Sequence, residues 1–464
     1  MLNENNIIEN FIDGQYQAPV NNNYLDNIEP ATGLVYGQIP NSDIADVEQA
    51  VAAAELALPT WQTLALEERA DYLIAIAQEI ENQLESLALA EATDNGKPVS
   101  LARMVDIPRA ASNFKFFAHA CSQFASESHA IAHTAINYTL RQPVGIVGCI
   151  SPWNLPLYLF TWKIAPALAA GNCVIAKPSE ITPKTAAMLG AICLKVGLPK
   201  GVLNILHGTG ASVGAEICNH PKIKAISFTG GSATGAAIAT QLAPKFKKLS
   251  LELGGKNPAL IFDDCHFEST VEEVFRASFA NQGQICLCAS RLYIQRGIYE
   301  KFKKALVAKA QALVPQDPLL NETKMGAIVS KAHLEKVLGY IDLAKKEGGT
   351  ILVGGEQVLL PGRCKQGYFL QPTIIEGLSN DASCNQQEIF GPVITLQLFD
   401  TDEQALALAN ESQYGLAATI WTQNINRAHQ LAEQINTGIV WINCWLLRDL
   451  RTPFGGMNHS SVGR

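Results

Sequence analysis

The sequence predicts an α/β protein with a doubly wound parallel sheet and a second α/β domain, and three observations predict it. Short β-branched runs alternate with helical stretches from residue 144 onward, and glycine-bearing junctions follow several of those runs. The 464 residues, 48% apolar and 17% charged, are enough for two or three domains with buried cores. Sheets of this kind bind ligands at the carboxyl ends of their strands, so the junctions are where chemistry is expected.

Composition narrows the function classes. A net charge of −8 and a pI near 5.7, without basic clusters, argue against a phosphate-driven nucleic-acid binder and for small-molecule chemistry. Met1-Leu2-Asn3-Glu4-Asn5-Asn6 lacks the basic region and apolar run of a secretory signal, so a cytoplasmic location is expected. Eleven irregularly spaced cysteines form neither a disulfide framework nor a C-x-x-C pair, so no metal site is expected. The most apolar segment, Leu155 to Ala176, is interrupted by Lys163, Pro166, Gly171 and Asn172; it reads as a buried helix running into a strand, and no membrane partner is expected.

In chain order, strand-like pieces at Phe11-Ile12-Asp13-Gly14 and Val35-Tyr36-Gly37-Gln38-Ile39 precede two amphipathic helices. The first has Ser42 as N-cap with Ile44, Val47 and Val51 at helical spacing; the second runs from about Leu66 through Leu73, Ile76, Ala77, Ile80 and Leu84. A helical stretch over 91–117 is interrupted at Gly96-Lys97-Pro98 and at Pro108, and it carries Arg103 and Arg109. Residues 121–140 read as a projecting hairpin. The parallel-sheet strands follow at Val144–Gly148, Cys173–Ala176, Val202–Leu206, Ala225–Phe228 and Lys248–Leu251. Residues 258–440 repeat the alternation, with helices near 299–314 and 331–346, and Val440 to Arg448 is strand-like until Pro453, Gly455 and Gly456 break it.

Three junctions suggest a nucleotide. Gly208-Thr209-Gly210 through Gly214 departs from G-x-G-x-x-G by one residue and is a weak signal alone. Phe228-Thr229-Gly230-Gly231-Ser232 either offers backbone N–H groups and a helix N-terminus to a phosphate or is a tight turn. Lys177-Pro178-Ser179-Glu180 places a carboxylate past a strand end, where it would accept from ribose hydroxyls and repel a 2′-phosphate, favouring NAD over NADP. Gly254-Gly255-Lys256 is followed by Asn257, so the ATP-type phosphate loop is not present.

Cys286 stands in Asn281-Gln282-Gly283-Gln284-Ile285-Cys286-Leu287-Cys288, a polar, glycine-containing setting unusual for a core cysteine. A free thiol is only a few per cent ionised at about pH 7, so a nucleophilic Cys286 needs help, for which Glu252 and Asn154 are candidates and Cys288 is a rival thiol.

Taken together, Pro152-Trp153-Asn154-Leu155-Pro156, Lys177-Pro178-Ser179-Glu180, Phe228-Thr229-Gly230, Glu252-Leu253-Gly254-Gly255-Lys256, Gly283-Gln284-Ile285-Cys286, Glu388-Ile389-Phe390-Gly391-Pro392 and Pro453-Phe454-Gly455-Gly456 resemble, in order, the signature stretches of the aldehyde dehydrogenase superfamily. The resemblance covers essentially the whole chain. It implies an NAD-binding domain over 1–120 and 141–253, a catalytic domain over 254–438, and β segments at 121–140 and 439–464 for oligomerisation or bridging in a homodimer or homotetramer. It implies Cys286 as nucleophile, Glu252 as general base and Asn154 as oxyanion donor. Implied for the cofactor are Ile150, Pro152, Trp153, Lys177, Ser179, Glu180, Gly210, Gly214, Phe228, Thr229, Gly230, Gly231, Leu253, Gly254, Glu388 and Phe390.

Ile285 to Cys288, Trp445 to Arg448, and the stretch from Pro156 to Asn172 are similar to the branch that oxidises 2-aminomuconate or 2-hydroxymuconate semialdehyde. That implies a carboxylate-bearing substrate met by Arg109, Arg448 and Trp445. Nothing in the surroundings of Arg451 distinguishes it from a surface or interdomain charge. Alternatives are a generalist aldehyde dehydrogenase or a non-catalytic member. Two departures carry expectations: Gly231 replaces the usual serine, which shifts cofactor affinity, and the strand with which relatives continue past Arg464 is not in this sequence, which weakens assembly.

Overall fold

A computed structural model describes residues 6–463. Residues 1–5 and Arg464, which bear the expectations about the chain's start and last strand, lie outside them.

The first lobe is built on an eight-stranded sheet. Its centre is five parallel strands in the spatial order Leu203–Ile205, Cys173–Lys177, Ile146–Ile150, Ile223–Thr229 and Lys248–Glu252. Ile146–Ile150 and Cys173–Lys177 are buried at every residue, as strands covered on both faces must be. Antiparallel edges are added by Asn10–Ile12 on one side and by Ser461–Val462 on the other. The apolar stretch expected as a helix running into a strand is the helix Pro156–Ala169 followed by Cys173–Lys177. Among the described residues no helix is long and apolar enough to cross a membrane.

The second lobe carries a seven-stranded sheet ordered Thr350–Val353, Thr373–Glu376, Val393–Phe399, Ala289–Gln295, Asn257–Ile261, Ala417–Trp421 and Ile439–Ile442, parallel except at Thr350–Val353. The helices Tyr299–Ala312 and Lys331–Lys346 lie where their periodicity places them. The hairpin pairs Ser128–Ile131 with Ala135–Tyr138. The stretch 439–463 pairs within the chain: Ile439–Ile442 joins the second sheet, Met457–Asn458 pairs with Tyr414–Gly415, and Ser461–Val462 joins the first. It thus ties the two lobes together.

Some sequence expectations need correction. Asp43, not Ser42, caps the helix Ile44–Thr63, its carboxylate accepting from the Ala45 N–H, while the Ser42 hydroxyl accepts from the Asn10 amide at 2.8 Å. The strand expected to reach Arg448 ends at Ile442, because Asn443 (φ 53°) and Leu446 (φ 62°) turn left-handed and leave the extended region. The interruption expected at Pro108 is a π-helical turn, Ala102–Asp106, which shifts the hydrogen-bond register just before the proline; the chain stays helical on both sides of it, from Val99 to Cys121.

Candidate active site

The central strand Ile146–Ile150 continues to Cys173–Lys177 on one side, yet its other neighbour is Ile223–Thr229, reached only after the chain has returned past it. Such a reversal opens a crevice at the carboxyl ends. There the strand ends deliver Pro152, Trp153, Asn154, Thr229, Gly230, Gly231, Leu253 and Gly254 to a cavity of about 580 Å³, closed from the second lobe by Cys286, His333, Lys336, Glu388 and Phe390.

This wall is largely backbone. A Cβ on Gly254 would stand 2.4 Å from the Glu388 carboxylate, and one on Gly230 would stand 2.4 Å from the Phe228 ring, whereas one on Gly231 would meet nothing within 4 Å. After Gly231 the eleven-residue helix Ser232–Leu242 begins, turning its first N–H groups toward the strand ends. Glu388 Oε1 accepts from the Gly255 N–H at 2.9 Å, and burial raises the pKa of its carboxyl.

A second group of strand ends continues the crevice. Ile150 and Ser179 are buried, and the buried Lys177 Nζ donates to the Pro178 carbonyl at 2.8 Å and to Glu180 Oε2 at 3.1 Å. Burial lowers the Lys177 pKa, with Glu180 opposing. Gly210 and Gly214 bound a single helical turn, and a Cβ on Gly214 would lie 3.6 Å from the Lys177 side chain. A phosphate and two riboses fit this set, which combines close backbone approach, a helix N-terminus and carboxylates for hydroxyls.

Cys286 sits in the loop before Ala289–Gln295, where Asn281 (φ 51°), Gln282 (φ 57°) and Gly283 (φ 68°) are left-handed. Only glycine fits at 283, since a Cβ would come within 2.2 Å of the Gly391 carbonyl oxygen. Asn257 Nδ2 donates to the carbonyls of Cys286 at 2.7 Å and Cys288 at 2.8 Å. Asn154 is buried; its Nδ2 donates to the Gln284 carbonyl at 3.0 Å, and its own carbonyl accepts from Asn281 Nδ2 at 3.0 Å and Lys97 Nζ at 3.1 Å. Asn154 and the Cys286 loop are therefore held as one unit.

Cys286 faces a second cavity of about 610 Å³, shared with Glu252, Arg109, Tyr158, Trp162, Leu446, Arg448 and Phe454. Burial raises the Cys286 pKa, and the Glu388 and Glu252 carboxylates raise it further, so the resting group is a thiol. Glu252 Oε1 accepts from the Ser461 hydroxyl at 3.2 Å. The Arg448 guanidinium lies between the Trp162 ring at 4.3 Å and the Phe454 ring at 4.1 Å, and its Nη1 donates to Tyr158 Oη at 3.4 Å. Among the described residues its buried Nη2 has no hydrogen-bond partner. Arg109 stands 5.5 Å over the other side of this wall, the Tyr158 ring.

Other expected residues fall elsewhere. Trp445 stands behind the cavity: it is buried, its indole N–H donates to the Leu287 carbonyl at 2.9 Å, and it is Leu446 that lines the wall. Arg103 is paired with Glu85 at 2.8 Å, and Arg451 with Asp449 at 2.6 Å on the surface. Burial pushes the Cys288 thiol up to about 12. Among the described residues no group of three or more His, Cys, Asp or Glu is placed to hold a metal ion. Sequence reasoning missed His333, Lys336, Asn257, Tyr158 and Trp162. The last two stand four apart on the helix after Asn154, a same-face spacing that was the available signal.

The chain belongs to the aldehyde dehydrogenase family, whose sequence model matches residues 16–464. It is 49% identical to the 2-aminomuconic semialdehyde dehydrogenase of Mus musculus over 464 residues, 99% of this chain and 94% of that one. It is 44% identical to the 2-hydroxymuconic semialdehyde dehydrogenase of Pseudomonas sp. (strain CF600), over 98% of this chain and 95% of that one. The NAD+ complex of a Bacillus cereus aldehyde dehydrogenase superposes with a TM-score of 0.97 at 38% identity, covering 100% of this chain and 93% of that one.

Proposed function

We propose that this chain oxidises a carboxylate-bearing semialdehyde, of the 2-aminomuconate or 2-hydroxymuconate type, to the acid with NAD. The carrying observation is the second cavity, where Cys286 shares one wall with two guanidinium groups. A carboxylate takes two parallel hydrogen bonds from a guanidinium, and it would give the buried Arg448 Nη2 the acceptor it lacks among the described residues. The names of the relatives support the same substrate class.

In this reading Glu252 accepts the Cys286 proton and Sγ bonds to the aldehyde carbon. The charge gathering on the carbonyl oxygen is met by the Asn154 amide and the Cys286 N–H. Bound NAD supplies the two-electron acceptor that leaves a thioester on Sγ. Glu252, once it has released the Cys286 proton to solvent, takes a proton from the attacking water; Sγ departs as the acid is released and regains that proton from Glu252. Toward NAD, the strand-end glycines and the helix beginning at Ser232 would hold the pyrophosphate, Lys177 and Glu180 the adenine ribose, and Glu388 the nicotinamide ribose. The carboxylate of Glu180 favours NAD over NADP.

The same proposal assigns residues 1–120 and 141–253 to the NAD domain, 254–438 to the catalytic domain, and 121–140 with 439–464 to assembly or bridging. Support for a homodimer or homotetramer comes from the hairpin, exposed at every strand residue with Ile131, Ile136 and Tyr138 outward. A cytoplasmic location fits a nucleophile that works only as a reduced thiol.

The test is a substrate panel with NAD and NADP in parallel. Turnover of 2-hydroxymuconate semialdehyde with NAD, abolished in Cys286→Ala, is expected; good turnover of simple aliphatic aldehydes with none of the muconate type would make this a generalist enzyme. Light scattering that finds a monomer would remove the assembly proposal.

A further inference from the structure

The helix Lys331–Lys346 touches the cofactor-side cavity through a ladder. His333, Lys336 and Tyr340 stand at helical spacings of three and four and so share one face. That face grips the backbone and side chains of one short segment. Tyr340 Oη donates to Gln387 Oε1 at 2.7 Å, Lys336 Nζ donates to the Glu388 carbonyl at 3.2 Å, and His333 Nε2 meets the Phe390 carbonyl at 2.7 Å. Next to Lys336, Val337 is packed so closely that a Cβ on Gly391 would come within 2.7 Å of it.

The gripped segment is under strain. Phe390 has a φ of 61°, a region that a phenylalanine keeps only where its surroundings hold it. Because a carbonyl can only accept, His333 must carry its proton on Nε2. Burial pushes the His333 pKa down to about 4, so near pH 7 the ring is neutral and this tautomer holds. The ring also packs edge-on against Trp153, 4.9 Å between centroids, while Phe390 packs against the same indole at 5.2 Å. Histidine, tryptophan and phenylalanine thus close one corner of the crevice.

We propose that the His333–Lys336–Tyr340 ladder is a positioning device for the nicotinamide half of the cofactor, with His333 latching Phe390 in its left-handed conformation. It rests on the reading of this cavity as the NAD site. Lys177 and Glu180, which that reading assigns to the adenine half, bond to one another and to the Pro178 carbonyl, whereas the ladder bonds to Gln387, Glu388 and Phe390. The device therefore separates the two halves of one ligand.

Calorimetric titration with NAD+ and with AMP tests it, on the parent and on His333→Ala, His333→Gln and Tyr340→Phe. In His333→Ala the affinity for NAD+ is expected to fall roughly tenfold, the scale of one hydrogen bond with its ring contacts. AMP affinity is expected to stay within about twofold, since AMP reaches only the adenine half. His333→Gln, whose amide can donate to the same carbonyl, recovers part of the loss, and Tyr340→Phe shows a smaller loss of the same kind. NAD+ affinity unchanged in both His333→Ala and Tyr340→Phe overturns the proposal, as does an equal weakening of NAD+ and AMP. A parent that binds neither ligand defeats the cofactor reading itself, a result distinct from a parent that binds and variants that do not differ.

Discussion

The two cavities that meet at Cys286 are made of different material. On the cofactor side, the first lobe contributes strand ends, three glycines and the start of a helix, so the shape belongs to the backbone. On the aldehyde side the wall is side chains: Arg109, Tyr158, Trp162, Arg448 and Phe454, brought from three separate stretches of chain. A backbone wall is fixed by topology and suits a ligand that never changes. A side-chain wall can be rewritten one residue at a time, which is where substrate choice belongs.

The residue that couples the two sides should show the largest effect. Asn154 is reached from the cofactor-side strand Ile146–Ile150 yet bonds the Cys286 loop through the Gln284 carbonyl at 3.0 Å. Asn154→Ala is expected to lower kcat by about 10²–10³, the usual loss for an oxyanion donor, with the KM values for NAD and aldehyde little changed. If KM rose and kcat held, Asn154 would be a binding residue instead.

Arg448→Ala breaks the comparison on the aldehyde side alone. Losing a guanidinium–carboxylate pair at a desolvated site costs about 2–3 kcal/mol, so KM for the carboxylated aldehyde should rise roughly 30- to 150-fold, with no change for a neutral aldehyde or for NAD. Arg448→Lys should not restore it, because an ammonium lacks the planar fork that stacks between Trp162 and Phe454. Equal effects on charged and neutral aldehydes would show a packing role only.

Gly254→Ala is the reciprocal test. The new Cβ must displace the Glu388 carboxylate, 2.4 Å away, although that side chain has some freedom to move. KM for NAD should rise about three- to tenfold, as for the loss of one hydrogen bond, while KM for the aldehyde holds. A change in the aldehyde constant instead would mean that the two walls are not separable.

The same contrast explains what could be read from the sequence. Backbone walls leave a mark: Phe228-Thr229-Gly230 and Glu252-Leu253-Gly254-Gly255 are contiguous, and a Cβ on any of their glycines would meet a neighbouring side chain at 2.4 to 2.7 Å. Side-chain walls do not. Tyr158 and Trp162 look like ordinary core residues of an apolar helix, and Trp445 looks like a wall residue although Leu446 is the one that lines it. What separates those neighbours is the positive φ of Leu446, set by tertiary packing that no local pattern encodes. His333 went unseen for a related reason, because its partner, the carbonyl of Phe390, is 57 residues away and belongs to the backbone.

The smallest effect concerns the foundation of the cofactor wall. His207 follows the strand Leu203–Ile205; it is buried, and among the described residues neither ring nitrogen has a hydrogen-bond partner. Burial, with the nearby Lys177 adding, pushes its pKa down to about 3, so the folded protein keeps it neutral where the unfolded chain, near 6.5, protonates it. Between those values the unfolded state binds more protons. The contribution to stability is therefore complete above about pH 6.5 and is lost as the pH falls, by up to about 1.4 kcal/mol per unit. His207→Leu removes the titrating group, so its melting temperature relative to the parent should rise by a few degrees between pH 8 and pH 5. A difference that stays constant with pH would mean that His207 does not titrate in this way. The aldehyde-side constants should not respond at either pH, since His207 is not among the residues that line that cavity.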